Sequence, residues 1–365
     1  MKRVLILNYT DNPEKHRLLI IRHFLHQNGF NVAVLSCDIW RDEIFRLNLA
    51  KKPWHLLGLS QAYLRYLLQV VKAIHHHHFD FILLGYPALF DFLFLRLFFP
   101  GLQNRLFVDY FLSFYDTIVL DRQLYRPATP TAQLIYHVER IVLRLAPHII
   151  TDTNTNAGRY RRLFRLTRPQ WHRILVGSRL LFVHPAQTSY SAQSYQLKIG
   201  WVGAFIPLHG ISVILEAAEK LKNEPFEFIL IGDGQDFQKA TELKKQNRLK
   251  RLILTGRLPY MTAMEMLKTC DICLGIFGKS AKAVSVIPIK IFDYWHLGKW
   301  IITQKSAAIA ELPLYPKLIQ IEADADALCH AIRQIALSSR ISLNNSSSQL
   351  ISDLISNDIQ STFKV

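Results

Sequence analysis

The sequence predicts an α/β protein built as two doubly wound parallel-sheet domains that face each other across a cleft. Three observations carry this expectation. Short apolar runs of strand length alternate with longer amphipathic segments along the chain, the pattern of a parallel sheet covered by helices on both faces. The alternation occurs twice, and between Ser178 and Gln196 it gives way to a polar Gln/Ser/Tyr stretch with one proline, which has linker character. A chain of 365 residues, half of them hydrophobic, also supplies enough apolar surface for two cores of domain size.

In the first half, the runs at 4–8 (VLILN), 31–36 (NVAVLS), 80–86 (DFILLGY), 105–110 (RLFVDY), 148–153 (HIITDT) and 173–177 (RILVG) read as strands. They are near-continuous in Val, Ile and Leu because a central parallel strand is buried on both faces. Helical patterns are expected near 14–28, 55–75, 131–145 and 154–165. In the second half, strands are expected at 198–203, 226–232, 252–256, 272–277, 300–303 and 318–322. The helices between and after them are expected near 210–222, 236–246, 260–269, 288–297 and 324–338. The domains expected are 1–178, a linker over 179–197, a second domain over 198–340, and a tail over 341–365. The tail is expected to hold a helix that packs back on the first domain.

Composition narrows the function classes. Lysine and arginine total 44 against 28 acidic residues, a formal charge of +16. Up to Gly177 there are 23 basic and 12 acidic side chains, so +11 of that excess lies in the first half. Such a surface favours an anionic partner and says nothing about the fold. Four cysteines, Cys37, Cys270, Cys273 and Cys329, make no disulfide framework in a chain this long, which suits a reducing compartment. The opening apolar run is too short for a signal peptide, and Asp91 and Arg96 interrupt the strongest apolar window. The expectation is a cytoplasmic protein with no membrane-spanning helix.

The stretch from Asp271 to Thr303 concentrates the chemistry. It reads as a strand, a loop with Lys279 and Lys282, a helix opened by Pro288, and a second strand. Proline suits the first helical position, so the free amides of that turn would face the lysine loop and hold a diphosphate. Lys290 and Asp293, three residues apart, share a helix face, where a cation and a carboxylate can meet one ligand. Other signals sit at neighbouring strand ends: WVGAFIPLHG with Gly203, His209 and Gly210, the GDG turn beginning at Gly232, and Arg257 in TGRLPY. In the first half, Asp109 ends a strand and Asp116 follows in the next loop. Both are able to face a cleft and to orient an acceptor hydroxyl or assist its proton, or else to serve as loop carboxylates.

These motifs resemble the donor domain of GT-B glycosyltransferases, in the large retaining bacterial group that includes many mannosyl- and glucosyltransferases (family four-like, group 1 type). The resemblance rests on WVGAFIPLHGISVILEAAEKL, FILIGDGQ and LGIFGKSAKAVSVIPIKIFDYWHLGKWIIT, over roughly 198–312. It implies a GT-B fold of two Rossmann-like domains. It also implies that Gly203, Ala204, Phe205, His209 and Gly210 lie against the diphosphate and sugar, with Gly232 in the neighbouring turn. Arg257, Gly275 and Phe277 would border the nucleoside, Lys282 and Lys290 would meet the diphosphate, and Asp293, beside Ile291, would meet the ribose. The group commonly carries two glutamates eight residues apart, and here those positions hold Ser285 and Asp293. The first strand's loop, NYTDNP, lacks the glycine pair often found there.

Transfer from a nucleotide sugar passes through an oxocarbenium-like state while charge builds on the departing diphosphate. Fixed lysines and helix amides stabilise that charge, so no metal or other cofactor is expected beyond the co-substrate. The function expected is hexosyl transfer to a lipid-linked or polysaccharide acceptor in bacterial envelope synthesis, such as that of lipopolysaccharide, with Asp109, Asp116 and His209 as catalytic candidates. Three alternatives stay open: an inactive sugar-nucleotide-binding relative, a GT-B epimerase, and a basic binding protein.

The remaining motifs are weaker. Cys270 and Cys273 form a single CxxC, Asp324 and Asp326 a DxD at a helix start where acids cap, and His75 to His78 a histidine run at a helix end. The stretch 158–173 (GRYRRLFRLTRPQWHR) mixes arginines with aromatics and suits anionic headgroups, so peripheral attachment to the inner face of the cytoplasmic membrane is expected as well. Nucleic-acid binding is not expected, because no helix-turn-helix, RNP or zinc pattern accompanies it.

Overall fold

The computed structural model describes residues 1–9, 17–36, 54–182, 197–246, 249, 251–338 and 348–363. Most of the stretch read as a linker lies outside the described residues, as do Cys37 and the NYTDNP loop after Tyr9. Two compact units are present: Met1–Val176 together with Asp353–Val365, and Gly177–Ser352. Each has its own six-stranded parallel sheet.

In unit 1 the strands are β1 (Arg3–Tyr9), β2 (Asn31–Ser36), β3 (Phe81–Leu84), β4 (Leu106–Asp109), β5 (His148–Thr151) and β6 (Gln170–Arg173), in the order β2-β1-β3-β4-β5-β6. The helices are α1 (Arg17–Gln27), α2 (Trp54–His76), α3 (Leu89–Phe98), α4 (Pro130–Leu145) and α5 (Asn154–Phe164). Strands β3, β4 and β5 are buried at every position, as expected of central strands covered on both faces. Helices α4 and α5 start with threonine caps, Thr129 accepting from the Ala132 amide and Thr153 from the Asn156 amide.

Two elements differ from the sequence expectation. The last strand is Gln170–Arg173, a polar edge strand paired only with β5, while the apolar Ile174, Leu175 and Val176 are buried just beyond it. An edge strand has no need of apolar side chains on both faces, so the apolar run marked the exit from the sheet instead. The apolar segment 86–100 contains a helix, α3, which its mean hydropathy obscured.

Unit 2 holds β7 (Leu197–Val202), β8 (Phe226–Ile231), β9 (Leu252–Leu254), β10 (Ile272–Leu274), β11 (Trp300–Gln304) and β12 (Leu318–Ile321), ordered β12-β11-β10-β7-β8-β9. Its helices are α6 (Ile211–Lys220), α7 (Phe237–Lys245), α8 (Tyr260–Lys268), α9 (Ile289–His296) and α10 (Ala325–Ser338). Helices α6 and α10 bury Ile214, Ala217, Leu328 and Ile332 in one core with Trp201, Phe205 and Phe228.

The final helix, α11 (Ser348–Thr362), brings the chain back to unit 1. Ile351, Ile355, Ile359 and Phe363 repeat every fourth residue and are all buried. Phe363 lies edge-on to Phe30 and Phe81 and contacts Phe107, with centroids 5.0–6.1 Å apart. Asp358 takes a two-pronged ion pair from Arg173 of β6, at 2.7 Å for the shortest contact.

Candidate active site

In unit 2 the strand order reverses between β7 and β10, and an open parallel sheet binds ligands outside the carboxyl ends of its strands at such a point. The loops leaving β7, β8 and β10 interlock there. The Gly203 amide donates to Ile231 O at 2.9 Å, the Phe205 amide to Asp233 O at 3.0 Å, and the Phe277 amide to His209 O at 3.0 Å. Backbone packs directly on backbone, which dictates the glycines. A Cβ on Gly232 would lie 1.8 Å from Gly203 O. One on Gly210, whose φ is +62°, would lie 2.3 Å from the Phe277 carbonyl.

Lys290, the second residue of α9, enters this corner from below. It is buried, and its Nζ has no hydrogen-bond partner among the described residues. The ammonium group stands 4.2 Å from the Trp201 ring centroid, and the Trp201 indole is itself fixed by donating to Gly275 O at 3.0 Å. Any side chain on Gly203 would begin 2.6 Å from Nζ and 3.1 Å from the His209 ring. Thus Gly203, His209 and Lys290 converge on one point.

His209 Nδ1 lies 2.5 Å from Ala204 O, so Nδ1 carries the proton and Nε2 is an acceptor. Burial, with Lys290 adding to it, pushes the imidazole down to about 3. Burial alone holds the Lys290 amine well below the ordinary lysine range. Burial disfavours the charged form of both basic groups, and a ligand that brings negative charge would offset that cost.

Asp293 goes elsewhere, although it shares the helix with Lys290. Its Oδ1 accepts from Ser178 Oγ at 2.7 Å and from Tyr260 OH at 2.8 Å, and Arg179 stacks on the Tyr260 ring at 4.1 Å. Burial raises the carboxyl to about 6 against the pull of those two donors. Pro288 is the residue before the helix, with extended ψ of 142°, and not its first turn as the sequence implied. Lys282 is buried and Lys279 exposed. The Ser285 hydroxyl donates to Ala281 O at 2.7 Å. Arg257 is exposed at the end of β9, and Ala204 is exposed beside Gly203. The side chains of Phe205, Phe277 and Ile291 are core residues, so only their backbone borders the corner.

The two acidic candidates of unit 1 are not open carboxylates. Asp109 is 2% exposed and receives Arg17 Nε on both oxygens at 2.9 and 3.0 Å, while Arg17 also donates to Ile174 O. Asp116 is 1% exposed and is clasped by Arg159 at 2.6 and 2.8 Å. A strand-end aspartate reads alike whether it faces solvent or an arginine distant in sequence, and both arginines here come from helices.

The weaker motifs resolve structurally. Asp324 caps α10 by accepting the Ala327 amide, and Asp326 pairs with Lys220. Cys270 and Cys273 are buried, with the Cys270 thiol pushed up to about 12 by burial. No group of metal-ligating side chains occurs among the described residues. Sequence reasoning missed Trp201, Ser178 and Tyr260. Trp201 lies within the very WVG run used to find the loop, but a tryptophan inside a strand reads as core.

Residues 196–337 match the model of a family described as Glycosyl transferases group 1. A 71-residue segment is 31% identical to an uncharacterized glycosyltransferase of Methanocaldococcus jannaschii and covers 20% of this chain, about a fifth of the relative's own length at 19%. Among solved structures, sucrose-phosphate synthase from Thermosynechococcus elongatus aligns over 100% of this chain and 95% of its own, with 13% identity and a TM-score of 0.66. Anabaena HepE in complex with UDP-glucose aligns over 100% and 96%, with 16% identity and a TM-score of 0.57. At these identities the likeness is one of fold.

Proposed function

Residues 196–337 of this chain form a glycosyl transferases group 1 domain within a GT-B fold, and on that premise we propose that the protein transfers a hexose from a nucleotide sugar to a lipid-linked or polysaccharide acceptor, with retention, in envelope polysaccharide synthesis. The observation that carries this reading is the buried, unpartnered Lys290 amine at the switch point of the unit-2 sheet. Few ligands compensate a buried amine as a diphosphate does. Its oxygens accept the hydrogen bonds that Nζ lacks and restore the charge that burial removes.

In this reading the diphosphate lies along Gly203–Gly210, with Lys290 and Lys282 at the oxygen on which charge builds as the glycosidic bond breaks. That charge is met by lysines and by the first amides of α9, so the reaction needs no metal. His209, neutral and with Nε2 as an acceptor, takes a hydroxyl of the donor sugar. Both hydrogen bonds to Asp293 end on Oδ1, which leaves Oδ2 for a ribose hydroxyl. The same two bonds anchor α9 and so fix Lys290. UDP-hexoses are the first donors to test, since HepE was solved with UDP-glucose.

The acceptor side supports a membrane location. Helix α3 turns Phe90, Leu97 and Phe98 outward, 55–73% exposed, and α4, in contact with it, turns out Leu134, Ile141 and Leu145. The exposed arginines 161, 162, 165 and 168 lie on and just after α5 of the same unit. An apolar face accompanied by basic side chains fits the inner face of a membrane with anionic lipid. No helix among the described residues is long and apolar enough to cross a membrane.

The test is a panel of UDP-, GDP- and ADP-sugars, read first as thermal stabilisation and then as transfer to a membrane extract, with and without EDTA. Stabilisation followed by EDTA-insensitive transfer with one donor is expected. Binding without turnover of any donor would instead favour a sugar-nucleotide-binding protein, a reading that Ser285, in place of a carboxylate, makes specific.

A further inference from the structure

The strand order of unit 1 also reverses once, between β1 and β3, and the side chains collected there have no part in the site described above. Asn8, the next-to-last residue of β1, lies in the left-handed region at φ +55°, where the pairing with β2 shifts register between Leu7 and Tyr9. Its Nδ2 is fully committed: it donates to the Asp91 carboxylate, to Gly85 O at 3.3 Å and to Pro87 O at 3.4 Å. The backbone amide of Asn8 donates to Tyr66 OH at 3.3 Å, and Tyr63 OH donates to the other Asp91 oxygen at 3.1 Å. Three acceptors on one side of the amide fix its orientation, because a flipped amide would set its oxygen against two carbonyls and a carboxylate.

That orientation leaves Oδ1 buried with no donor among the described residues, on a residue 5% exposed. A buried amide oxygen without a donor costs free energy in every folded molecule. Here it stands at the carboxyl edge of the sheet, where an open α/β fold places its ligands. The neighbouring groups are an aspartate and two tyrosines, the hydrogen-bonding and aromatic surfaces that suit a polyhydroxylated ring. Asp109 and Asp116 are paired with arginines and unsuited to that task, whereas Asp91 is held by neutral donors.

We propose that Asn8, Asp91 and Tyr63 form a hydroxyl-binding subsite for the sugar of the acceptor. Asn8 Oδ1 accepts a hydroxyl proton of the ligand, Asp91 holds the Asn8 amide in the orientation that presents it, and Tyr63 lines the ring. This rests on the glycosyltransferase reading for the identity of the ligand as an acceptor. The polarity of the subsite itself does not depend on that reading. Asp91 is a positioning residue here, acting through Asn8.

The experiment uses the full-length protein and a panel of methyl glycosides (gluco, galacto, manno and N-acetylglucosamine), with binding read by saturation-transfer NMR in wild type, Asn8→Gly and Asp91→Asn. Glycine adopts the backbone of Asn8 without strain, and Asp91→Asn keeps the shape of the cluster, so a folding defect in one leaves the other informative. The wild type is expected to bind at least one glycoside. Both variants should weaken it about fivefold or more, while nucleotide-induced stabilisation stays unchanged. Wild type that binds none of the panel, or variants that bind as well as wild type, would overturn the subsite. A protein that binds glycosides through Asn8 but neither binds nucleotide nor transfers sugar would retain the subsite and lose the glycosyltransferase reading. Transfer with an unchanged acceptor KM in Asn8→Gly would do the reverse.

Discussion

The Lys290 amine stands 4.2 Å from the Trp201 ring and has no hydrogen-bond partner among the described residues, although Trp201 and Lys290 are 89 positions apart and each is buried. Sheet topology brings them together: Trp201 lies in β7, and α9 follows the neighbouring β10. An unpaired amine in a close-packed corner is a stability cost.

Replacing it should therefore stabilise the ligand-free protein. Lys290→Met keeps the stem, removes the orphan donor and is expected to add about 1–3 kcal/mol, read from urea unfolding. The pH dependence has a definite sign. The folded-state pKa lies below the unfolded one, so the unfolded chain binds the extra proton and wild-type stability rises with pH from the folded value up to about 10.4. Lys290→Met should lack this component.

Nucleotide binding should take up protons. The negative charge of a diphosphate beside Lys290 favours the charged amine and raises its pKa against the desolvation that lowers it, so binding near neutral pH should consume up to about one proton per site. Calorimetric titrations in buffers of differing ionisation enthalpy measure this directly. Equal heats in all buffers would mean that Lys290 is charged before the ligand arrives.

Phe363→Ala should destabilise unit 1 by about 3–5 kcal/mol, because the ring fills a space bounded by Phe30, Phe81 and Phe107. Chemical denaturation followed by a probe in unit 1 is the measurement. A loss within error would show that α11 is not integral to that core.

Changing Phe90, Leu97 and Phe98 together to serine should leave the melting temperature within about 2 °C, since exposed substitutions cost little. It should also reduce co-sedimentation with vesicles of mixed phosphatidylcholine and phosphatidylserine. Binding should fall further with salt if the arginines contribute. Unchanged sedimentation would remove the apolar face from the membrane reading.

Much of this architecture was legible in the sequence because parallel strands are short, apolar and regularly spaced. NVAVLS marks β2 at its observed limits, Asn31–Ser36. The edge strand β6 was misplaced because edge position frees a strand from the apolar pattern that reveals the others. The glycines at 203, 210 and 232 were legible as sites of close approach. What they approach was not, since a Gly232–Gly203 contact depends on tertiary packing. Asp109 and Asp116 show the same limit from the other side. Their arginine partners are 92 and 43 residues away, and nothing local marks a pair of that kind.

In the proposed function, Lys290 holds the diphosphate of a nucleotide sugar. Isothermal titration of the nucleoside diphosphate that most stabilises the wild type, repeated on Lys290→Met, tests it most directly. The expected result is an affinity at least about 30-fold weaker in the variant, the loss of a charge-assisted contact, in a protein at least as stable as wild type. An unchanged dissociation constant would show that Lys290 does not hold the diphosphate.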